Sequence, residues 1–159
     1  MAIDPPPSYL DDDHRGRGAL LQCKALPIAG LSPNPAVDMT YEFSRLIADQ
    51  KVHAVATRFD PGSNGINVGR ALKRLGTAAQ NHCIVAGEIG QLLKSLIADQ
   101  MDNVDYEEMA GETRINGTFI GRSPRVQYEV SGIRPEIPPS QLNELLGRFV
   151  EHSGKVLVC

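Results

Sequence analysis

At 159 residues, with 42% hydrophobic and 22% charged side chains, the chain has the balance of one folded globular domain and not of a disordered segment. A formal charge of -3 leaves no basic excess of the kind that nucleic acid or an anionic membrane surface attracts, so a small molecule is the expected partner, with no nucleic acid and no membrane. No stretch reaches the ~20 apolar residues that span a bilayer. Cys23, Cys83 and Cys159 are odd in number and too widely spaced for a CxxC or metal pattern; they read as reduced, buried thiols of a cytoplasmic protein.

In chain order, residues 1–20 carry Pro5-Pro6-Pro7 and Asp11-Asp12-Asp13 with almost nothing apolar to bury, and read as a disordered tail. Ala19 to Leu31 turns apolar and is stopped by Ser32-Pro33-Asn34-Pro35, the pattern of a buried strand ending in a sharp loop. Two alternating runs, Met39 to Phe43 and Val52 to Phe59, predict strands with an open face. The pentapeptide Leu46-Ile47-Ala48-Asp49-Gln50 recurs at Leu96 to Gln100, but its surroundings differ and no repeat follows from it.

Asp60 to Gly65 is a glycine-rich turn leading into a helix whose Val68, Ala71, Leu72 and Leu75 fall at i, i+3, i+4 and i+7, with Gly76 as its stop. His82 to Ala86 then predicts a buried strand, and Gly90 to Gln100 a helix facing the sheet through Leu93, Leu96 and Ile97. This βαβ alternation implies parallel strands and right-handed crossovers. Residues 104–131 break it with strand-like runs at Val104 to Glu107, Thr113 to Ile120 and Arg125 to Val130, the last two joined by a hairpin at Gly121 to Pro124. Leu142, Leu145, Leu146, Phe149 and Val150 mark a third helix with Ser140 as N-cap, and Lys155 to Cys159 opens another strand.

The residue types that could carry chemistry lie around the glycine turn. Gly62 and Gly65 permit positive φ and close approach to the main chain, and the first free N–H groups of the following helix favour an anion. The turn is neither a Walker loop nor a Rossmann fingerprint, and shaping a tight strand-to-helix connection is an equal reading. Asp38 is a ligand-facing or a turn-forming carboxylate, and Asn67 a substrate contact or a capping amide. Arg114, inside an alternating strand, is either solvated, paired with Glu112, or the guanidinium fork that grips a phosphate. His14, His53, His82 and His152 have no carboxylate or cysteine arranged around them and receive no role.

Taken together, Asn34-Pro35-Ala36-Val37-Asp38, then Asp60-Pro61-Gly62-Ser63-Asn64-Gly65-Ile66-Asn67-Val68-Gly69-Arg70-Ala71-Leu72, then Glu112-Thr113-Arg114-Ile115-Asn116 resemble the amino-terminal half of the ribokinase-like (PfkB) carbohydrate kinases, in the phosphofructokinase and tagatose-6-phosphate kinase branch. The resemblance covers residues 25–159 and implies an α/β fold: an incomplete ribokinase-like (Rossmann-like) βαβ sheet over residues 21–159, with a small β-strand lid at 39–59 and 113–131.

It also implies a substrate site. Asp38 would bond sugar hydroxyls, the turn of Gly62, Ser63, Asn64 and Gly65 would lie against the sugar, Asn67 would contact it, and Arg114 would hold the phosphate of a phosphorylated hexose. The lid strands would pair between subunits of a homodimer. Two departures stand out: the family commonly has glycine at position 63 and alanine at 69. Ser63 would crowd the sugar if its φ were positive, and Gly69 costs the helix about 1 kcal/mol relative to alanine.

The complete family enzyme uses ATP and Mg2+, with a Gly-Ala-Gly-Asp motif that supplies the general base and an anion hole. That motif does not occur in this sequence. The expectation is therefore a sugar-phosphate-binding half that binds ATP and Mg2+ poorly, has no catalytic residue of its own and is inactive alone. The alternative is a non-catalytic, truncated interaction protein pairing through its lid strands with itself or a full-length homologue, and a third reading is a fragment that is only marginally folded because a half sheet exposes an apolar edge.

Overall fold

The computed structural model describes residues 28–152 and 155–156. The tail expected at residues 1–20, the start of the first apolar run, the expected thiols Cys23 and Cys159 and the end of the last strand lie outside the described residues. The elements are β1 (Ile28–Ser32), β2 (Ala36–Phe43), β3 (Ala56–Gly62), α1 (Asn64–Arg74), β4 (Ala79–Ala86), α2 (Gly87–Ala98), β5 (Val104–Met109), β6 (Arg114–Arg122), β7 (Arg125–Val130), α3 (Pro139–His152) and β8 (Lys155–Val156).

They form two four-stranded sheets, one ordered β5-β4-β1-β8 and the other β3-β2-β6-β7. The first is parallel throughout, with β4 between β1 and β5 and the short β8 alongside the start of β1. β5 belongs to this sheet, so the alternating rhythm runs one strand further than the sequence suggests. The central strand β4 is buried on both faces: Cys83 and Val85 pack with Ile66 of α1 and Leu93 and Ile97 of α2, while Ile84 packs with Leu145 and Phe149 of α3. Helices on both faces of a parallel sheet are the α/β arrangement that βαβ connections produce.

The second sheet is built from insertions into two crossovers. β2 and β3 leave between β1 and α1; β6 and β7 leave between β5 and α3. The two hairpins join because β2 pairs with β6 in parallel over eight residues, from Ala36↔Arg114 to Phe43↔Gly121. β2 pairs antiparallel with β3, and β6 with β7, whose connection is the Ser123–Pro124 turn.

Several local expectations are corrected. β3 starts at Ala56, four residues later than the alternating run, and continues through Pro61 and Gly62. It tolerates Pro61 because it is an edge strand, where a missing N–H breaks no ladder on the open side. In α1 the buried residues are Gly65, Ile66 and Gly69, and Leu75 is 78% exposed. The helix sits on the sheet through its glycine face, so the face carrying Ala71 and Leu75 turns outward. Gly69 is part of that fit: a Cβ there would meet Asn81 Oδ1 at 2.6 Å.

Ser140 does not cap α3. The Pro138 carbonyl accepts the Leu142 N–H at 3.1 Å, and Pro139 takes the first helical position, where the missing N–H costs nothing. Of the expected apolar stripe of α3, Leu145 and Phe149 are buried while Val150 is exposed. The two copies of Leu-Ile-Ala-Asp-Gln form a loop in one place and a helix end in the other, as unrelated surroundings demand.

Candidate functional site

The candidate site lies beyond the C-terminal end of β1, where the chain leaves the main sheet for β2 and returns through β3 into α1. Open α/β sheets place ligands at this end of their strands. Asp38 sits three residues into β2 and is a strand residue, not a turn former; its register partners are Asp60 on β3 and Asn116 on β6. All three side chains therefore occupy one face of the second sheet.

Asn116 Nδ2 donates to Asp38 Oδ1 at 2.8 Å, and Asn116 Oδ1 accepts the Gly132 N–H at 3.2 Å. Both ends of the amide are thus committed, and the carboxylate is held in one orientation. Asp60 is ion-paired with Arg58.

Gly62 makes a close approach possible, but not with positive φ, and the group that approaches it is the Asp38 side chain. Among described glycines the left-handed residues are Gly76, Gly87 and Gly111. A Cβ on Gly62 would lie 2.6 Å from Asp38 Oδ1 and closer still to Oδ2, so the glycine is the space into which Asp38 fits. Ser63 has φ 169, an extended backbone that carries no strain, and its hydroxyl donates to Ser32 Oγ at 2.9 Å. The crowding anticipated from a positive φ at position 63 is thereby removed. Gly65 is buried, and a Cβ there would be 2.5 Å from the Leu31 carbonyl oxygen. It seats α1 against β1 and does not line the cleft, contrary to its expected place against a ligand.

The cleft has two lobes that share Asp38, Asn67 and Asn116. One, of about 370 Å³, is lined by Pro33, Asn34, Gly62, Ser63, Asn64 and Arg114; the other, of about 640 Å³, extends past Asp60, Arg70, Thr118 and Glu129. Of the residues expected from the sequence, Asp38, Gly62, Ser63, Asn64, Asn67 and Arg114 come together here. Asn34, Asn116 and Arg70 were not singled out, although Arg114 and Asn116, two apart on one strand, share a face by simple alternation.

Arg114 is the cation of the smaller lobe. Its Nη2 donates to the Asn34 carbonyl at 3.4 Å, and its Nε is buried with no hydrogen-bond partner. Glu112 is not its partner: that carboxylate accepts the N–H groups of Glu88 and Ile89 at 3.3 and 3.1 Å and so caps the N-terminus of α2. A partly buried guanidinium with an unused donor and no carboxylate partner among the described residues is prepared for an anion supplied from outside. Next to it, the acceptor-only carboxylate of Asp38 suits hydroxyl groups.

His82, given no role from sequence, is buried, with Nδ1 3.3 Å from Asp105 and its ring edge-on to Phe149, away from the cleft. Among the described residues no group of three or more His, Cys, Asp or Glu side chains could hold a metal ion. No described helix is long and apolar enough to cross a membrane.

No protein-family model matches the chain. Its sequence is 36% identical over 138 residues to the ATP-dependent 6-phosphofructokinase isozyme 2 of Mycobacterium tuberculosis, covering 81% of this chain and 41% of the relative. The chain spans about two fifths of the length of the curated relatives it matches. Among solved structures, phosphofructokinase-2 from Escherichia coli in complex with fructose-6-phosphate superposes with a TM-score of 0.75 at 26% identity, covering 84% of this chain and 44% of the other. The tetrameric inhibited form of the same enzyme matches with a TM-score of 0.74 and equal coverage.

Proposed function

We propose that this chain, a homologue of the amino-terminal part of the ribokinase-like (PfkB) phosphofructokinases, binds a phosphorylated hexose. The observation that carries the reading is the pairing, in one cleft, of an oriented hydroxyl-binding carboxylate with an unpaired guanidinium: Asp38 held by Asn116, and Arg114 held by Asn34. Asp38 takes sugar hydroxyls, Gly62, Ser63 and Asn64 form the wall the sugar rests on, Asn67 adds an amide contact, and Arg114 takes the phosphate. In the complete family enzyme ATP supplies the phosphoryl group and Mg2+ its charge neutralisation. Phosphoryl transfer depends on positioning and on stabilising that charge, and this chain offers neither a Gly-Ala-Gly-Asp motif nor a metal site among its described residues. It acts as a sugar-phosphate-binding half that does not turn substrate over alone.

The test combines thermal shift with fructose 6-phosphate, fructose 1-phosphate and tagatose 6-phosphate with a coupled assay of ATP-dependent phosphorylation. A ligand at 100 times its Kd stabilises the native state by about 2.7 kcal/mol, so a shift with one sugar phosphate and no turnover is expected. Turnover at an ordinary kinase rate overturns the claim of inactivity, and no shift with any of the three overturns the site.

A second reading is favoured by the other face of the lid sheet. Phe59 and Tyr128 are each more than 40% exposed and, by strand alternation, lie opposite the face of Asp38. A second copy of this chain or a full-length homologue would cover them. Sedimentation equilibrium reads this directly: a monomer at 50 times the working concentration excludes self-pairing.

A further inference from the structure

Arg70 follows Asn67 by one turn of α1 and donates from Nη1 to Asn67 Oδ1 at 3.3 Å. Its Nε is buried without a hydrogen-bond partner, and no carboxylate among the described residues pairs with it. A guanidinium has five donors and no acceptor. An amide beside it must therefore present its oxygen to the arginine and turn its NH2 away from it; Asn67 lines both lobes, and Arg70 the larger one. The neighbouring amide is already oriented, since Asn116 donates one Nδ2–H to Asp38 and accepts the Gly132 N–H at Oδ1. Where the two lobes meet, Asp38 offers an acceptor and the Asn67 amide, its oxygen taken by Arg70, offers a donor.

We propose that Arg70 is a positioning residue that locks the Asn67 amide with its NH2 facing the cleft and so sets which hydroxyl arrangement of a phosphorylated ketohexose is accepted. This inference rests on the sugar-phosphate reading above. A locked donor beside a locked acceptor reads two hydroxyls in order, one donating to Asp38 and the other accepting from Asn67. Without Arg70 the Asn67 amide turns over at small cost, offers either atom, and stops distinguishing sugars that differ in the direction of one hydroxyl, such as fructose 6-phosphate and its C4 epimer tagatose 6-phosphate. A charge attraction from Arg70 to the ligand's phosphate predicts something else: it weakens both sugars alike and does not need Asn67.

The experiment is titration calorimetry of the full 159-residue chain with fructose 6-phosphate and with tagatose 6-phosphate, on the wild type, Arg70→Met, Asn67→Ala and the double variant. Arg70→Met is expected to weaken the preferred sugar by about tenfold, the scale of one hydrogen bond to an oriented group, and to bring the two affinities together. In the Asn67→Ala background the same substitution is expected to change affinity by about twofold or less, because residues acting through one contact are not additive. Asn67→Asp keeps the Arg70 contact but removes the donor, and is expected to bind as weakly as Asn67→Ala while melting no lower than the wild type.

Equal weakening by Arg70→Met in both backgrounds overturns the proposal, as does an unchanged preference between the two sugars or wild-type affinity in Asn67→Asp. A wild type that binds neither sugar overturns the sugar-phosphate reading itself, a result distinct from binding that is indifferent to Arg70.

Discussion

Asp38 and Gly62 share one volume: the carboxylate of Asp38 occupies the place where a side chain on Gly62 would begin. Since Gly62 does not have positive φ, alanine there carries no backbone strain and its whole effect is steric. Gly62→Ala is therefore expected to push the Asp38 carboxylate off Asn116, to cost about 1–3 kcal/mol of stability as an overpacked contact, and to abolish binding of fructose 6-phosphate. Asp38→Ala in the same chain should restore the melting temperature lost to Gly62→Ala without restoring binding. Chemical denaturation of the two single variants and the double gives the coupling, and strict additivity would show that the two residues do not compete for this space.

Arg114 tests the phosphate end of the cleft. Its guanidinium is partly buried, has an unused Nε and lacks a carboxylate partner among the described residues. Removing it takes away no ion pair and relieves an unsatisfied donor, so Arg114→Met is expected to leave the melting temperature unchanged or slightly raised. Its loss should weaken fructose 6-phosphate by about 1.5–3 kcal/mol, the worth of a hydrogen bond to a charged group, and leave unphosphorylated fructose unaffected. Arg114→Lys should recover only part of the difference, because an ammonium is a point charge without the planar fork. Competition titration with the two sugars measures both effects.

What the sequence disclosed followed the range of the interactions. The helix stop at Gly76 is local, and it holds: Gly76 has φ 70, its N–H reaches the Lys73 carbonyl at 3.0 Å and the Thr77 N–H the Leu72 carbonyl at 2.9 Å, a Schellman closure. α2, β6 and β7 were legible from periodicity for the same reason. The pairing of β2 with β6 was not, since it joins segments 78 residues apart, and with it went the bond between Asn116 and Asp38. Nor could the apolar count on α1 reveal that the helix packs through Gly65 and Gly69, because that choice is made by the sheet beneath it. Asp38, Asn67 and Arg114 were found through motif order, whereas their supporting residues Asn116, Asn34 and Arg70 are visible only as geometry.

Glu112 ties the lid to the main sheet. Its carboxylate accepts two N–H groups at the start of α2, and the adjacent Thr113 exchanges bonds with Ala86: the Ala86 N–H donates to Thr113 Oγ1 and the Thr113 N–H to the Ala86 carbonyl, both at 2.9 Å. A negative charge at a helix N-terminus is stabilising, and loss of such a cap costs about 0.5–2 kcal/mol. Glu112→Ala is expected to lower stability by that amount. Because Arg114 lies two residues further on, it should also weaken sugar-phosphate binding, by less than Arg114→Met does. Glu112→Gln should recover part of the stability. A stability change confined to amide exchange in α2, with exchange in β6 unaltered, would show that the tether does not reach the lid.

Cys83 provides a readout of folding that is independent of any ligand. It is a free, buried thiol on β4, and burial pushes its pKa up to about 12 from an ordinary value of 9.0, with the Ser32 hydrogen bond opposing and the charge of Asp105 adding to the rise. Burial also raises Tyr106 to about 12 from 10.0, with a smaller contribution from Cys83. Both groups are neutral when protonated, and both hold their protons more tightly in the folded state. Their contribution to stability is therefore complete below pH 9, where unfolded cysteine is still protonated, and is lost as the pH rises from 9 toward 12. In a Cys23→Ser, Cys159→Ser background, native Cys83 should resist iodoacetamide at pH 8.5 and react only at the rate of opening. The denaturation midpoint should fall steadily above pH 9, and Cys83→Ala should flatten part of that fall. Labelling at the rate of a free thiol under native conditions would mean that the sheet centre around β4 is open.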